Sequence, residues 1–345
     1  MRALVSPCAR SRHLRMNGKT IRRFISIGLI IIMAVIFTLT TDTFLIFRNI
    51  TNMLKDSAYL GIIALGMSFV IIGGGIDLSV GGIACVVGLL SVRMSVVGIP
   101  GIVIVPLAIL LGVFCGFINA LLVSRLHLTG FVATLASGFV YSGLALILAF
   151  RERKVITSVE IPRWSSLRTF GGSVGDVQII TIVWVVLSIV AFFIFTRSNF
   201  GLHTYSIGSN EKSAKMSGVN TDMVRSVGHM VCGGCAGLAV VLQAALNGSS
   251  PLNIGTGYEF QAIAACVVGG VVLGGGKGDS ISALCGSLFL IMLMNGLYKY
   301  GLATSWEYIL QGGIILLATG FDSIFSKITT KRLLSHTRRL GGEQA

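Results

Sequence analysis

Long apolar runs separated by short polar or glycine-rich intervals follow one another from Phe24 to Ser326. Taken as spans they cover 24–41, 57–73, 80–97, 102–124, 131–150, 179–196, 228–246, 261–274, 281–297 and 308–326, ten in all. Each is too long and too continuously apolar for a barrel strand, which would alternate over about 10 residues, whereas a membrane helix needs ~20. The pattern predicts an all-α polytopic membrane protein of about ten transmembrane helices, some short or broken. The spans 57–73 and 261–274 are the short ones, and each ends in or contains glycines. Such interruptions mark discontinuous helices beside transport paths.

The sharpest interruption is Ile72-Gly73-Gly74-Gly75-Ile76-Asp77-Leu78-Ser79-Val80-Gly81-Gly82. Glycines let backbones approach closely or turn sharply, and an ionisable residue at membrane depth faces a pathway, a partner or a cavity. Two readings of the stretch stay open. In one, Gly74, Gly75, Asp77, Ser79 and Gly81 line a translocation path or brace its gate. In the other, Asp77 caps the helix that begins near Ser79 and the glycines serve helix packing. Asn119 and Thr134, polar within apolar spans, are weaker path candidates whose simpler use is interhelical hydrogen bonding.

Composition agrees with a membrane protein: 54% hydrophobic and 12% charged residues, with a mean hydropathy of +0.87. The net charge of +14 does not point to nucleic acid, because no soluble basic face with groove-reading or stacking elements accompanies it. Its bases sort by side instead. With a cytoplasmic N-terminus and ten crossings, 18 of the 27 Lys and Arg fall inside and nine outside, as the positive-inside rule requires. Both termini are then cytoplasmic, and the chain divides into a basic tail (1–23), a permease-like membrane domain (24–326, including an inner loop at 197–227) and a basic tail (327–345). The run from Phe24 is longer than a signal-peptide core and no small-residue cleavage site follows, so it reads as a retained anchor. Met16 is a second candidate start.

Two connections are long. The outer one, 151–178, is polar and carries Trp164, Ser165 and Ser166; it is a candidate lip over a pore. The inner one holds a short helix over Asn210–Ser217, with Asn210 as N-cap, Glu211 in the first turn and Gly218 as the stop, and with turns at Gly208 and Gly218. A capped helix projecting from the bundle suggests a docking surface for another protein.

Catalytic chemistry finds no support. A P-loop at Gly276-Lys277 would need glycine at Val271 and Ser or Thr at Gly278. The five histidines lie in tails, loops or beside span ends without metal-ligand spacing, and each reads as solvated or interfacial. The seven cysteines mostly sit in apolar runs as small packing residues; Cys232-Gly233-Gly234-Cys235 has redox or zinc spacing but no second pair nearby. No metal or cofactor is expected. Beyond Asp77 the acids near the spans are Glu259, Glu307 and Asp322, thin material for an ion relay. A transporter with neither a nucleotide site nor a relay takes its energy from a partner.

The break also carries a resemblance. Gly74-Gly75-Ile76-Asp77-Leu78-Ser79-Val80-Gly81 is similar to the signature of membrane permeases of bacterial monosaccharide ABC importers, the ribose, xylose, arabinose and autoinducer-2 group. Phe131-Val132-Ala133-Thr134-Leu135 resembles the family's F-[IV]-A-T-L segment, and Phe200-Gly201 through Tyr205-Ser206-Ile207-Gly208-Ser209-Asn210 to Ser217-Gly218-Val219 resembles its inner loop. Gly257-Tyr258-Glu259, Ala262–Ala265, Val268-Gly269-Gly270, the glycines from 275 to 278 and Asn295-Gly296-Leu297 complete the series, from about residue 57 to 318. Departures are Ser142-Gly143 where Arg-Gly is usual, Gly274 for a more usual Ser, and Lys299. The resemblance implies a non-catalytic subunit in the bacterial inner membrane. Its partners would be a cytoplasmic ABC ATPase, a periplasmic solute-binding protein and a second permease copy or related permease. It implies that Gly208, Asn210, Glu211, Ala214, Ser217 and Gly218 form the ATPase coupling loop. The competing readings are a stand-alone secondary transporter or channel for a small polar solute, and a membrane scaffold without transport.

Overall fold

The computed structural model describes residues 18–151, 154, 155, 157–302, 306, 308–317 and 320. The tail residues 1–17 and 327–345, with Glu307 and Asp322, lie outside the described residues. Helices dominate. Six are long and apolar enough to cross a membrane: α2 (Phe47–Ile72), α4 (Gly101–Ala120, prolonged by a π-helical turn at Leu121–Arg125), α5 (Gly130–Ala149), α6 (Ile179–Arg197), α9 (Thr221–Asn247) and α11 (Ser280–Lys299). Shorter apolar helices are α1 (Gly18–Thr40), of which Ile25–Thr40 is the apolar part, α3 (Val80–Val96), α10 (Tyr258–Val268) and α12 (Tyr308–Leu317). Two polar helices, α7 (Asn199–Ser209) and α8 (Glu211–Met216), fill the inner loop.

Three predicted boundaries move for one reason. Helix α2 begins at Phe47 rather than 57, α9 at Thr221 rather than 228, and α1 at Gly18 rather than 24. Apolarity marks the part of a helix in lipid or core, while hydrogen bonding continues through polar turns. In α2 such a turn earns its place: Asn49 and Asn295 of α11 exchange amide hydrogen bonds of 3.0 Å in both directions.

Helices α2 and α9 run through the middle of the bundle. Around them pack α3, α4, α10 and α11, while α5 and α6 lie outside and α1 leans on α11. Helix α9 meets α4 along a line of small residues. A Cβ on Gly233 would fall on the Gly112 carbonyl, one on Gly112 on the Gly233 carbonyl, one on Gly116 on the His229 carbonyl and one on Gly237 on the Ala108 carbonyl. Without a hydrophobic drive between helices in lipid, such backbone approach is what holds two spans together. The Cys232–Cys235 segment belongs to this seam. Cys232 is fully buried, and the two thiols are free.

At the end of the bundle opposite α7 and α8, Ser158–Glu160 pairs antiparallel with Ser249–Pro251, tying the long 151–178 connection to the end of α9.

Gly233→Leu should prise α4 from α9, costing roughly 1–3 kcal/mol as overpacking does, while Gly143→Leu should be silent because a Cβ there meets nothing. Thermal unfolding of the detergent-solubilised protein checks the contrast: a clear drop in midpoint for the first and none for the second.

Candidate functional site

Helix α2 ends at Ile72 because Gly74 takes φ +83°, and α3 starts at Val80 inside the bundle. Between them the backbone at 73–79 leaves the helical ladder. Here Asp77, fully buried, acts on both sides. Its Oδ1 accepts the Ser79 backbone N–H at 3.0 Å and the Ser79 hydroxyl at 2.6 Å. Its Oδ2 lies 2.7 Å from Nδ1 of His229 on α9. An ionised carboxylate only accepts, so the proton of that bond sits on Nδ1. The network continues outward: Asn119 of α4 donates to the Ser79 oxygen at 2.6 Å, and the Tyr141 hydroxyl of α5 lies 3.0 Å from the Cys115 carbonyl and 3.3 Å from the Asn119 Oδ1. Thr134 of α5 accepts the Leu78 N–H at 2.9 Å and donates to the Gly130 carbonyl at 2.7 Å. Three helices, α4, α5 and α9, are thereby fastened to one break.

A cleft of about 390 Å³ opens beside it, lined by Gly73, Gly74, Gly75, Thr129, Thr204 and His229 among others. Of the residues proposed from sequence for a path, Gly74 and Gly75 line this cleft. Asp77, Ser79, Asn119 and Thr134 are fully buried behind it. Gly81 is buried against α10, where a Cβ would fall on the Gly255 carbonyl and the Glu259 carboxylate. The cleft's opposite wall has two irregular features: the π turn at the end of α4, and His127, the only described non-glycine residue with positive φ, at 54°.

A second break mirrors the first. Between α10 and α11 the chain reads Gly274-Gly275-Gly276-Lys277-Gly278-Asp279-Ser280, against Gly73-Gly74-Gly75-Ile76-Asp77-Leu78-Ser79. Asp279 caps α11, accepting the Ser282 N–H at 2.9 Å and its hydroxyl at 3.1 Å. The breaks meet at Gly208. A Cβ on Gly208 would fall on the Ile72 carbonyl and the Gly276 amide, which are themselves hydrogen-bonded at 2.8 Å, and a Cβ on Gly275 would sit 2.9 Å from the Cα atoms of both Gly208 and Gly74. Gly208 was expected to set a turn; it lies inside α7, and close approach, not conformation, demands the glycine there.

The short helix forms as α8. Asn210 accepts the Ser213 N–H at 3.0 Å as N-cap, and Gly218 at φ +83° follows Ser217 at its end. Ala214 turns inward against Ile207 and Val224, whereas Lys212, Ser213, Lys215, Met216 and Ser217 are exposed, Met216 at 90%. Glu211 ties α8 to α9: Arg225 Nη1 and Nη2 donate to its two carboxylate oxygens at 2.9 and 2.6 Å, and Lys215 adds a contact at 3.1 Å. The Arg225 hydrogen bonds hold the Glu211 carboxyl below its ordinary value of 4.5.

Sequence reasoning missed His229, Arg225, Tyr141 and Asp279. His229 was taken as interfacial; because α9 starts at Thr221, it stands two turns inside the helix and is 3% exposed. The available signal was Arg225 and His229 four apart, on one helical face. Among the described residues no three His, Cys, Asp or Glu side chains converge as a metal site would need.

Residues 49–319 match the family described as "Branched-chain amino acid transport system / permease component". The chain is 31% identical over 301 residues to the ribose import permease protein of Escherichia coli, covering 86% of this chain and 92% of that one. It is 33% identical over 292 residues to the ribose import permease protein of Bacillus subtilis, covering 84% and 89%. With the galactose/methyl galactoside import permease protein of Escherichia coli it shares 32% over 318 residues, covering 87% and 93%. No solved structure matches the chain.

Two measurements follow from this geometry. Asp77→Ala should cost at least about 1–3 kcal/mol, the usual penalty for leaving a buried donor without its partner, and Asp77→Asn less, since an amide oxygen can still accept from Ser79; chemical or thermal unfolding reads both. The Glu211–Arg225 tie follows pH with a definite sign. A depressed folded pKa makes its contribution complete above the unfolded value of 4.5 and lost as pH falls through the folded one. Hydrogen exchange of α8 amides, corrected for intrinsic rates, should therefore accelerate only below that pH, and Glu211→Gln should show the faster exchange throughout.

Proposed function

We infer that this chain, which belongs to the family of permease components of branched-chain amino acid transport systems, is the membrane permease of an ATP-driven importer for a monosaccharide or a similar solute. The observation that carries the reading is similarity to sugar import permeases running through 84–87% of the chain. The architecture fits: two glycine-broken helices, a cleft between the first break and the inner loop, and a capped helix held out from the bundle.

On this reading the chain makes ten crossings of the bacterial inner membrane, 24–326, with both tails (1–23 and 327–345) and the 197–227 loop in the cytoplasm. The shorter apolar helices Ile25–Thr40, Val80–Val96, Tyr258–Val268 and Tyr308–Leu317 supply the crossings beyond the six long ones. A cytoplasmic ABC ATPase receives α8, a periplasmic binding protein delivers the solute, and a second permease copy or related permease completes the membrane unit. Hydrolysis takes place on the ATPase, not on this chain.

The roles then divide. Gly74 and Gly75 offer backbone to a passing solute at the cleft, joined by Thr129, Thr204 and His229. Asp77, Ser79, Gly81, Asn119 and Thr134 hold the gate's shape from behind. Gly208, Asn210, Glu211, Ala214, Ser217 and Gly218 build the coupling surface, its outward knob being Met216 with Lys212 and Lys215. Alternating access comes from moving α8 and the breaks together.

Reconstituted with its ATPase and binding protein, the chain should import a radiolabelled sugar such as ribose in a vanadate-sensitive manner that unlabelled leucine does not compete. Uptake that ignores ATP would return the stand-alone transporter, and competition by leucine the amino acid. Met216→Asp should reduce co-purification of the ATPase at least tenfold and leave thermal stability unchanged, because a side chain 90% exposed supports no core.

A further inference from the structure

Arg225 and His229 stand four residues apart on α9, one above the other, and both line the cleft. Arg225 grips Glu211 of α8 with two hydrogen bonds at 2.9 and 2.6 Å. His229 grips Asp77 of the break at 2.7 Å. From the exposed inner helix to the buried turn, the connection therefore passes through two polar contacts and one turn of α-helix, about 5.4 Å of axial rise. Helix α9 cannot stretch or slip locally along this turn. Its next turns are locked to α4 by backbone contact at Gly116 against the His229 carbonyl and at Gly112 against Gly233.

We propose that Arg225 and His229 form a strut that carries displacement of α8 to the Asp77 break, with His229 as the residue that positions the break. The inference rests on the permease reading of the chain and adds to it the means by which the inner helix reaches the gate. The route from α7 is less direct: Gly208 meets Ile72 only by close backbone approach, and the Tyr205 hydroxyl bonds the Gly278 carbonyl of the second break, whose Gly276 amide bonds Ile72 at the near edge of the first. The strut ends on Asp77 itself. Hydrogen bonds at both its joints transmit both directions, and a two-way cycle of opening and closing needs both.

The chemistry makes His229 specific. Because Nδ1 serves Asp77, a substitute must present an N–H at that same short reach. Asparagine does so, its amide nitrogen lying where Nδ1 lies, whereas leucine fills the volume and offers nothing.

The test uses the full transporter, permease with its ATPase and binding protein, in proteoliposomes, and reads solute imported per ATP hydrolysed. His229→Leu should lower that ratio at least tenfold, His229→Asn should keep it within threefold of the native protein, and Arg225→Met should lower it with no loss of folded complex. The double variant Arg225→Met with His229→Leu should be no worse than His229→Leu alone, since both cut one line. Should His229→Leu fail to assemble, hydrogen exchange of the 73–79 amides in the Arg225→Met complex decides. A vanadate-trapped ATPase should alter their exchange in the native protein and leave it unaltered in the variant. An unchanged ratio in Arg225→Met, losses that multiply in the double variant, or a preserved vanadate response would overturn the strut. Failure of the permease reading itself is distinguishable, because the native protein would then import nothing on addition of ATP.

Discussion

A turn of irregular backbone inside an apolar bundle has no water to complete its hydrogen bonds, and every orphaned group there costs several kcal/mol. That constraint governs the buried end of the break, Asp77–Ser79. Asp77 meets it by taking the Ser79 N–H, and Thr134 by taking the Leu78 N–H. The carboxylate then poses its own problem, since burying an ion costs several kcal/mol even after relaxation. Single interhelical hydrogen bonds in membranes average about 0.6 kcal/mol and would not offset it. Bonds to a charged group are stronger, about 1.5–3 kcal/mol each, and the carboxylate has three, from a hydroxyl, a backbone amide and a histidine, which is why His229 and Ser79 are as necessary to the break as the aspartate.

The second constraint is steric. At Gly208, Ile72 and Gly276 three backbones pass so close that no side chain fits between them. This contact joins two breaks that share the order glycine triplet, aspartate, serine, though the spacing differs: Asp77 bonds two residues ahead and Asp279 three. The first therefore forms a tight side-chain turn before α3, while the second is an ordinary N-cap of α11. Similar sequence has been used for two jobs, one holding a turn in the bundle and one starting a helix.

The helical kind of the spans was legible where apolarity is continuous, and so was α8, because caps and stops are written in single residues such as Asn210 and Gly218. The importance of Asp77 was also legible, as an isolated charge in an apolar setting. Its partners were not. The bond to His229 spans 152 residues of sequence and the one between Ser79 and Asn119 spans 40, and no local pattern announces a contact at that separation. Gly208 misled for a related reason. Glycine at an expected loop end suggests a turn, and only the three-dimensional neighbours reveal a helix packed against foreign backbone. Two readings were open for Asp77, lining a path or bracing its gate, and capping the helix that begins near Ser79; the carboxylate is fully buried and bonds the Ser79 N–H and His229.

The ownership of the network's members limits how the break can move. His229 belongs to α9 and Asn119 to α4, and those helices are locked by reciprocal glycine contacts at Gly112 and Gly233, so the pair behaves as one body. Asp77 and Ser79 are bonded to that body from both sides. Helix α5 holds the break differently, through the single Leu78–Thr134 bond and through Gly138, whose Cβ would sit 3.1 Å from the Leu78 carbonyl. Motion that kept the strong contacts would carry the break with α4 and α9 and part it from α5, breaking the Tyr141 bonds to Cys115 and Asn119 of α4 and the one backbone hydrogen bond from Leu78 to Thr134. The cleft lies on the side of that bond, since Thr129 and Gly130, at the start of α5, line it. The break is therefore held most strongly on its α4 and α9 side and least on the side where α5 borders the cleft.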